Sequence, residues 1–164
     1  MHSTGFPPVV GNNPKLLILG SLPGQESLRQ QQYYAHPRNA FWHVIESVLG
    51  IPANLPYAIR CQSLMDAGVA LWDVCASAHR PGSMDGAIQS DSVVPNDIAD
   101  FLRQHPSIQL ICFNGNTAAS LFRKHIQMDR SIKTHRLPST SPAHAGMSLA
   151  QKAEQWQVIQ QVIR

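Results

Sequence analysis

A neutral amide stands just ahead of an apolar helical pattern in the segment YYAHPRNAFW, Tyr33 to Trp42, which carries Tyr33, Tyr34, His36, Arg38 and Asn39. Asparagine is among the best helix N-caps, worth about 1 kcal/mol. Its carboxamide also accepts and donates hydrogen bonds, so Asn39 can equally orient a water molecule, although it is a poor general base. Other segments concentrate groups of the same kind. GSLPG holds Ser21 and Leu22, VALWDV holds Asp73, HRPG holds His79 and Arg80, ICFNGN holds Asn114, and LPSTSPAHA holds Ser139, Ser141, Ala143 and His144.

Familiar chemistries fail on spacing. GSLPG lacks the Lys and Ser/Thr of a nucleotide phosphate loop and misses the glycine spacing of a dinucleotide fold. It also misses the GxSxG elbow, so a small-molecule hydrolase using Ser21 is only a third reading. No histidine pair falls at i, i+4 with a glutamate beside the first, which argues against a zinc hydrolase. Cys61, Cys75 and Cys112 are an odd number without CxxC spacing, so reduced core thiols are expected and neither a disulfide framework nor an iron–sulfur cluster.

The elements that must position these groups are legible as alternating patterns. LLIL, ended by Gly20, is a continuous apolar run of the kind buried on both sheet faces. Val69 to Val74, Ile108 to Phe113 and, weakly, Ile132 to Leu137 complete four predicted strands. Phe41, Val44, Ile45, Val48 and Leu49 share one helical face and Gly50 stops it. Further helices are expected before Gly68, over Asn96 to His105, over Thr117 to His125, and from Ser148. There Ser148 and Gln151 form a capping box, and Leu149, Ala153, Trp156 and Ile163 lie on roughly one face. The alternation predicts a three-layer α/β/α sandwich on a central, mostly parallel four-stranded sheet, with the ligand site at the carboxyl ends of the strands. The candidate residues all fall in the loops that follow those strands or in the segment before the first long helix.

The 164 residues suit one domain, with residues 1–14, rich in Pro, Gly and Asn, as an extended N-terminal arm. No run reaches the roughly 20 apolar residues of a membrane helix, and MHSTGFPPVV has no basic region followed by a long apolar core, so a cytoplasmic protein is expected. A net charge of +3 and a pI near 9.0 permit an anionic partner without a basic cluster that would demand one.

Taken together, GSLPG, the tyrosine and asparagine of YYAHPRNAFW, the FNG of ICFNGN, and LPSTSPAHA resemble the uracil-DNA glycosylase superfamily, closest to its hypoxanthine-DNA (deoxyinosine) glycosylase branch. The similarity runs from Lys15 to the last helix, in the family's order. It implies a monofunctional, cofactor-free DNA glycosylase without a metal, acting as a monomer on DNA containing a deaminated base and leaving an abasic site. Most branches carry a catalytic Asp or Asn where Leu22 stands here. The hypoxanthine branch lacks that residue and relies on the asparagine that Asn39 matches. Tyr34 matches the aromatic that stacks on the flipped base, with Tyr33 a second candidate. Ser21, Leu22, Asp73 and Asn114 border the base pocket, although Asp73 can simply end a strand and Asn114 can simply make a turn before Gly115. LPSTSPAHA resembles the DNA-insertion loop, with Ser139 and Ser141 as phosphate contacts and Ala143 or His144 as the wedge. Arg80, with His79, is a further phosphate candidate. Uracil or mismatch-thymine excision is the alternative within the class, and a non-catalytic nucleic-acid or small-ligand binder is the alternative outside it.

Overall fold

The computed structural model describes residues 2–163. Its frame is a sheet of four parallel strands: β2 (Leu16–Gly20), β3 (Val69–Asp73), β6 (Leu110–Asn114) and β7 (Lys133–Leu137), in the order β3-β2-β6-β7. β2 and β6 are central and buried along their whole length, which is why they read as unbroken apolar runs. β7 is an edge strand whose Lys133, Thr134, His135 and Arg136 are exposed, and this charge guards the open edge while weakening its apolar signal.

Alternation along β2 divides the core into layers. Leu16 and Ile18 pack with Phe41, Val44, Ile45 and Val48 of α2 (Phe41–Leu49), Leu64 of α3 (Tyr57–Asp66) and Trp156 of α6 (Leu149–Trp156). Leu17 and Leu19 point the other way, to Ile98, Phe101 and Leu102 of α4 (Ile98–Gln104) and Ala118 and Leu121 of α5 (Asn116–His125). Burying each such Leu or Phe contributes about 1.5–3 kcal/mol. The expected three-layer sandwich is therefore present, with helices on both faces.

Local signals set the helix ends. Gly50 closes α2 in the left-handed conformation at φ +75°, and Ser148 and Gln151 form both bonds of the expected capping box at α6. α4 begins later than expected, because Asp97 caps it through the Asp100 amide and Asn96 instead donates to the Asp73 carbonyl at 2.8 Å. The expected face of the last helix is narrower than its spacing implied: Ala153 and Trp156 are buried, whereas Leu149 is 46% exposed.

A second, antiparallel sheet had no counterpart in the sequence reading. β4 (Cys75–His79) follows β3 almost directly and pairs with both β1 (His2–Thr4) and β5 (Val94–Pro95). Within the segment expected to form an N-terminal arm, the described residues are strapped down: β1 lies on β4, and Val9 bridges Leu71 of β3. A short helix, α1 (Gln25–Gln30), follows GSLPG, and a single 3₁₀ turn covers Asp85–Ala87. Cys61, Cys75 and Cys112 are buried free thiols, and burial pushes Cys75 and Cys112 up to about 12. No helix among the described residues is long and apolar enough to cross a membrane.

Candidate active site

The carboxyl ends of the four parallel strands open into one cleft of about 480 Å³. Ser21 and Leu22 follow β2, Asp73 ends β3, Asn114 ends β6, and Ser139 through Ala143 follow β7. Tyr34 and Asn39 line it from the segment that enters α2. Chain alternation thus brings together residues more than a hundred positions apart, at the place a parallel sheet reserves for ligands.

Asn39 does cap, from one position further out than expected. Ala40 is the N-cap residue, and Asn39 Oδ1 accepts the Phe41 amide at 2.9 Å. One Oδ1 lone pair and the Nδ2 hydrogens make no hydrogen bond among the described residues, so the carboxamide can serve a ligand while it caps. The Ala40 amide donates to the Thr140 carbonyl at 2.9 Å, which pins this helix start to the loop after β7.

Tyr34 is held in the left-handed region at φ +57°, a conformation that costs a non-glycine residue about 1–3 kcal/mol. Its ring stacks on Phe41 with centroids 4.1 Å apart and planes 19° from parallel. The ring is therefore a supported platform in the cleft wall. Burial, then the Asp73 charge, push its phenol above the ordinary tyrosine value, so it stays neutral. Tyr33 is buried in the core instead, with its hydroxyl donating to the Pro7 carbonyl at 2.9 Å.

Asp73 is 4% exposed, and its Oδ2 is buried without a hydrogen-bond partner. Burial above all, and then the charge of Asp85, push its pKa up to about 7, against the opposing pull of Arg80. Gly20 makes this possible: a Cβ there would lie 2.5 Å from Asp73 Oδ1 and 3.0 Å from the Tyr34 hydroxyl. Asn114 is locked from the opposite side. Its Oδ1 accepts the Thr140 amide at 3.0 Å and its Nδ2 donates to Thr140 Oγ1 at 2.9 Å. Because a backbone N–H only donates, the amide cannot flip, and it is the Nδ2 edge that faces other partners, among them the Tyr34 hydroxyl.

The loop after β7 is folded on its own serines: Ser139 Oγ accepts the Ser141 amide at 3.1 Å, and Ser141 Oγ accepts the Ala143 amide at 3.2 Å. Trp156 anchors its base by donating to the Pro138 carbonyl at 3.0 Å. Ser139, Ser141 and Ala143 line the cleft, and His144 is exposed outside that lining. Gly115, at φ +97°, lets the loop come close, since a Cβ there would meet Ser139 Cβ at 3.0 Å.

The chain as a whole is similar to known proteins. The family model for the uracil DNA glycosylase superfamily covers residues 7–162. The chain belongs to the uracil-DNA glycosylase superfamily. A hypoxanthine DNA glycosylase from Methanosarcina acetivorans is 34% identical over 97% of this chain and 98% of its own length, and one from Methanosarcina barkeri is 38% identical over 70% and 72%. The solution NMR structure of a candidate uracil DNA glycosylase from Methanosarcina acetivorans superposes with a TM-score of 0.81 at 34% identity, covering 99% of both chains.

Within this superfamily fold, one expected contact is overturned. Arg80 is 0% exposed and points inward, donating to the carbonyls of Gly82, Leu22 and Pro23, so no DNA phosphate can reach it. It braces the first glycosylase loop from beneath. Conversely, Asp85 went unassigned in the sequence reading, yet it lines the cleft and accepts the Ser21 hydroxyl at 2.7 Å. No local pattern marks it, because its partner lies 64 residues away. His36 and Arg38 were visible in the motif, and the structure places both at the cleft, exposed.

Proposed function

We propose that this chain is a monofunctional DNA glycosylase that hydrolyses the N-glycosidic bond of deoxyinosine, releasing hypoxanthine and leaving an abasic site. The observation that carries the reading is that the unpartnered Asp73 and the locked amide of Asn114 line one cleft together with Tyr34. Hypoxanthine presents N1–H as a donor and O6 as an acceptor. Asp73 accepts N1–H, and Asn114 Nδ2, held by Thr140 through one hydrogen, turns the other from the Tyr34 hydroxyl to O6. Adenine would set its N6 amino hydrogens against that fixed donor, which disfavours the undamaged base.

A base reaches this cleft only out of the helical stack, and the Tyr34 ring replaces the stacking it gives up. Ser139 and Ser141 keep hydroxyl hydrogens for backbone phosphates, with Ala143 at the lip as the wedge. Asn39 holds the hydrolytic water with its uncommitted lone pair and Nδ2 hydrogens. The oxocarbenium-like sugar formed as the base leaves needs negative charge nearby. Among the described residues no lysine lines the cleft, in keeping with hydrolysis rather than a Schiff-base lyase. The same reading has the protein work as a cytoplasmic monomer without a cofactor.

Uracil excision is the second reading, because uracil carries the same N–H and C=O pair that Asp73 and Asn114 would meet. Duplexes bearing one hypoxanthine, uracil or mismatched thymine, treated with the protein and then alkali, separate the readings. Cleavage at hypoxanthine is expected. Retained binding with no cleavage on any duplex would sink the enzymatic reading in favour of a binder.

A further inference from the structure

We infer that Asp85 is the catalytic carboxylate of this cleft, taking the proton of the hydrolytic water and facing the developing sugar cation. The inference rests on the glycosylase reading above. Hydrolysis needs a group that can take a proton, and Asn39 is a neutral amide. Among the cleft-lining residues, Glu26 is held by Arg29 and Gln30 on α1, and Asp73 lies on the floor, where the base is read. The first loop offers Leu22, which is apolar and buried. Asp85 answers that lack from the other side: the 3₁₀ turn carries its carboxylate onto the first loop, where Ser21 donates to Oδ1 at 2.7 Å. Burial holds the Asp85 carboxyl above the ordinary carboxylate range, as a proton acceptor needs, while the Ser21 hydrogen bond and Arg80, 3.9 Å from the same oxygen and too far for a hydrogen bond, oppose that rise and favour the charged form. Oδ2 has no hydrogen-bond partner among the described residues, which leaves it for water. Asp73, which lines the same cleft, likewise has a carboxylate oxygen, Oδ2, without a hydrogen-bond partner.

The step balances as a hydrolysis. The water oxygen bonds to C1′ as the C1′–N9 bond breaks, and the bonding pair leaves on N9. One water proton passes to Asp85 and on to solvent, and the departing purine takes up a proton from bulk water. Ser21 is the positioning residue for Asp85. Its hydroxyl hydrogen is committed to that carboxylate.

The test is single-turnover excision from a hypoxanthine duplex, with binding measured on a duplex carrying a tetrahydrofuran abasic analogue. Asp85→Asn should lose at least a hundredfold in rate with analogue binding within threefold of wild type, and added formate should restore rate to Asp85→Ala in a concentration-dependent way. A rate within threefold of wild type in Asp85→Asn overturns the assignment, as does a loss that formate never rescues. An inactive wild type instead brings down the glycosylase reading itself. Should the Asp85 variants fail to fold, Ser21→Ala decides: removing its hydrogen bond should move the acid limb of the rate profile to higher pH, and an unmoved limb overturns the inference.

Discussion

Asn114 and Thr140 grip each other at two points, the Thr140 amide on Oδ1 at 3.0 Å and Nδ2 on Thr140 Oγ1 at 2.9 Å. This pair joins the end of β6 to the loop after β7 and decides which edge of the carboxamide can meet a base. Thr140→Val keeps the shape and the backbone bond but leaves one Nδ2 hydrogen without its acceptor. The cost is expected at about 1–3 kcal/mol in urea denaturation. Preference for hypoxanthine over adenine, read as competition between the two lesion-sized substrates, should fall with it.

Gly20→Ala puts a methyl 2.5 Å from Asp73 Oδ1 and 3.0 Å from the Tyr34 hydroxyl. Both groups belong to the cleft, so the added carbon is expected to displace the base-reading carboxylate and the stacking ring together. Overpacking of this kind costs about 1–3 kcal/mol. Excision should drop by far more than stability implies, and the comparison of a melting curve with single-turnover rates at a temperature where both proteins are folded checks it.

Asp73 links the fold to pH. Its folded-state pKa of about 7 stands above the unfolded value, so the native chain holds a proton that the unfolded chain releases. Its neutral form is fully compatible with the fold below about pH 4, and the associated stability is lost as pH rises to about 7, on the order of 4 kcal/mol in all. Asp73→Asn should remove this fall, making the variant more stable relative to wild type at pH 8 than at pH 4. Parallel stability curves for the two proteins across that range would contradict the assignment.

Asn39 combines a cap and a cleft contact, and substitutions can part them. Asn39→Ser retains a side-chain oxygen for the Phe41 amide, whereas Asn39→Ala loses it at about 1 kcal/mol. Both are expected to abolish excision, since neither carries the Nδ2 edge that helps hold the water. Wild-type excision by Asn39→Ser would reduce the residue to a cap.

Much of the frame could be read directly. β2 and β6 announced themselves because strands covered on both faces carry no polar interruption, and α2 and the cap of α6 follow from short-range patterns. β4 escaped notice because Cys-Ala-Ser-Ala-His lacks the run of branched and aromatic residues that marks a strand. Its pairing with the chain's first residues depends on contacts more than seventy positions apart. Arg80 shows the converse: in a loop it read as a surface cation, and only the carbonyls of Gly82, Leu22 and Pro23 converging on it explain why it is buried.

By itself, then, the sequence determined the alternation of strands and helices, and with it the end of the sheet where Ser21, Asp73, Asn114 and the loop after β7 had to meet. Those assignments rest on periodicity and on residues within a few positions of one another. What the tertiary structure decided was which polar atoms are committed and which are free: Asn114 locked by Thr140, Arg80 spent on carbonyls, Asp73 left unpaired, and Asp85 delivered to Ser21. Such pairings are set by the packing of distant loops, and no local pattern encodes them.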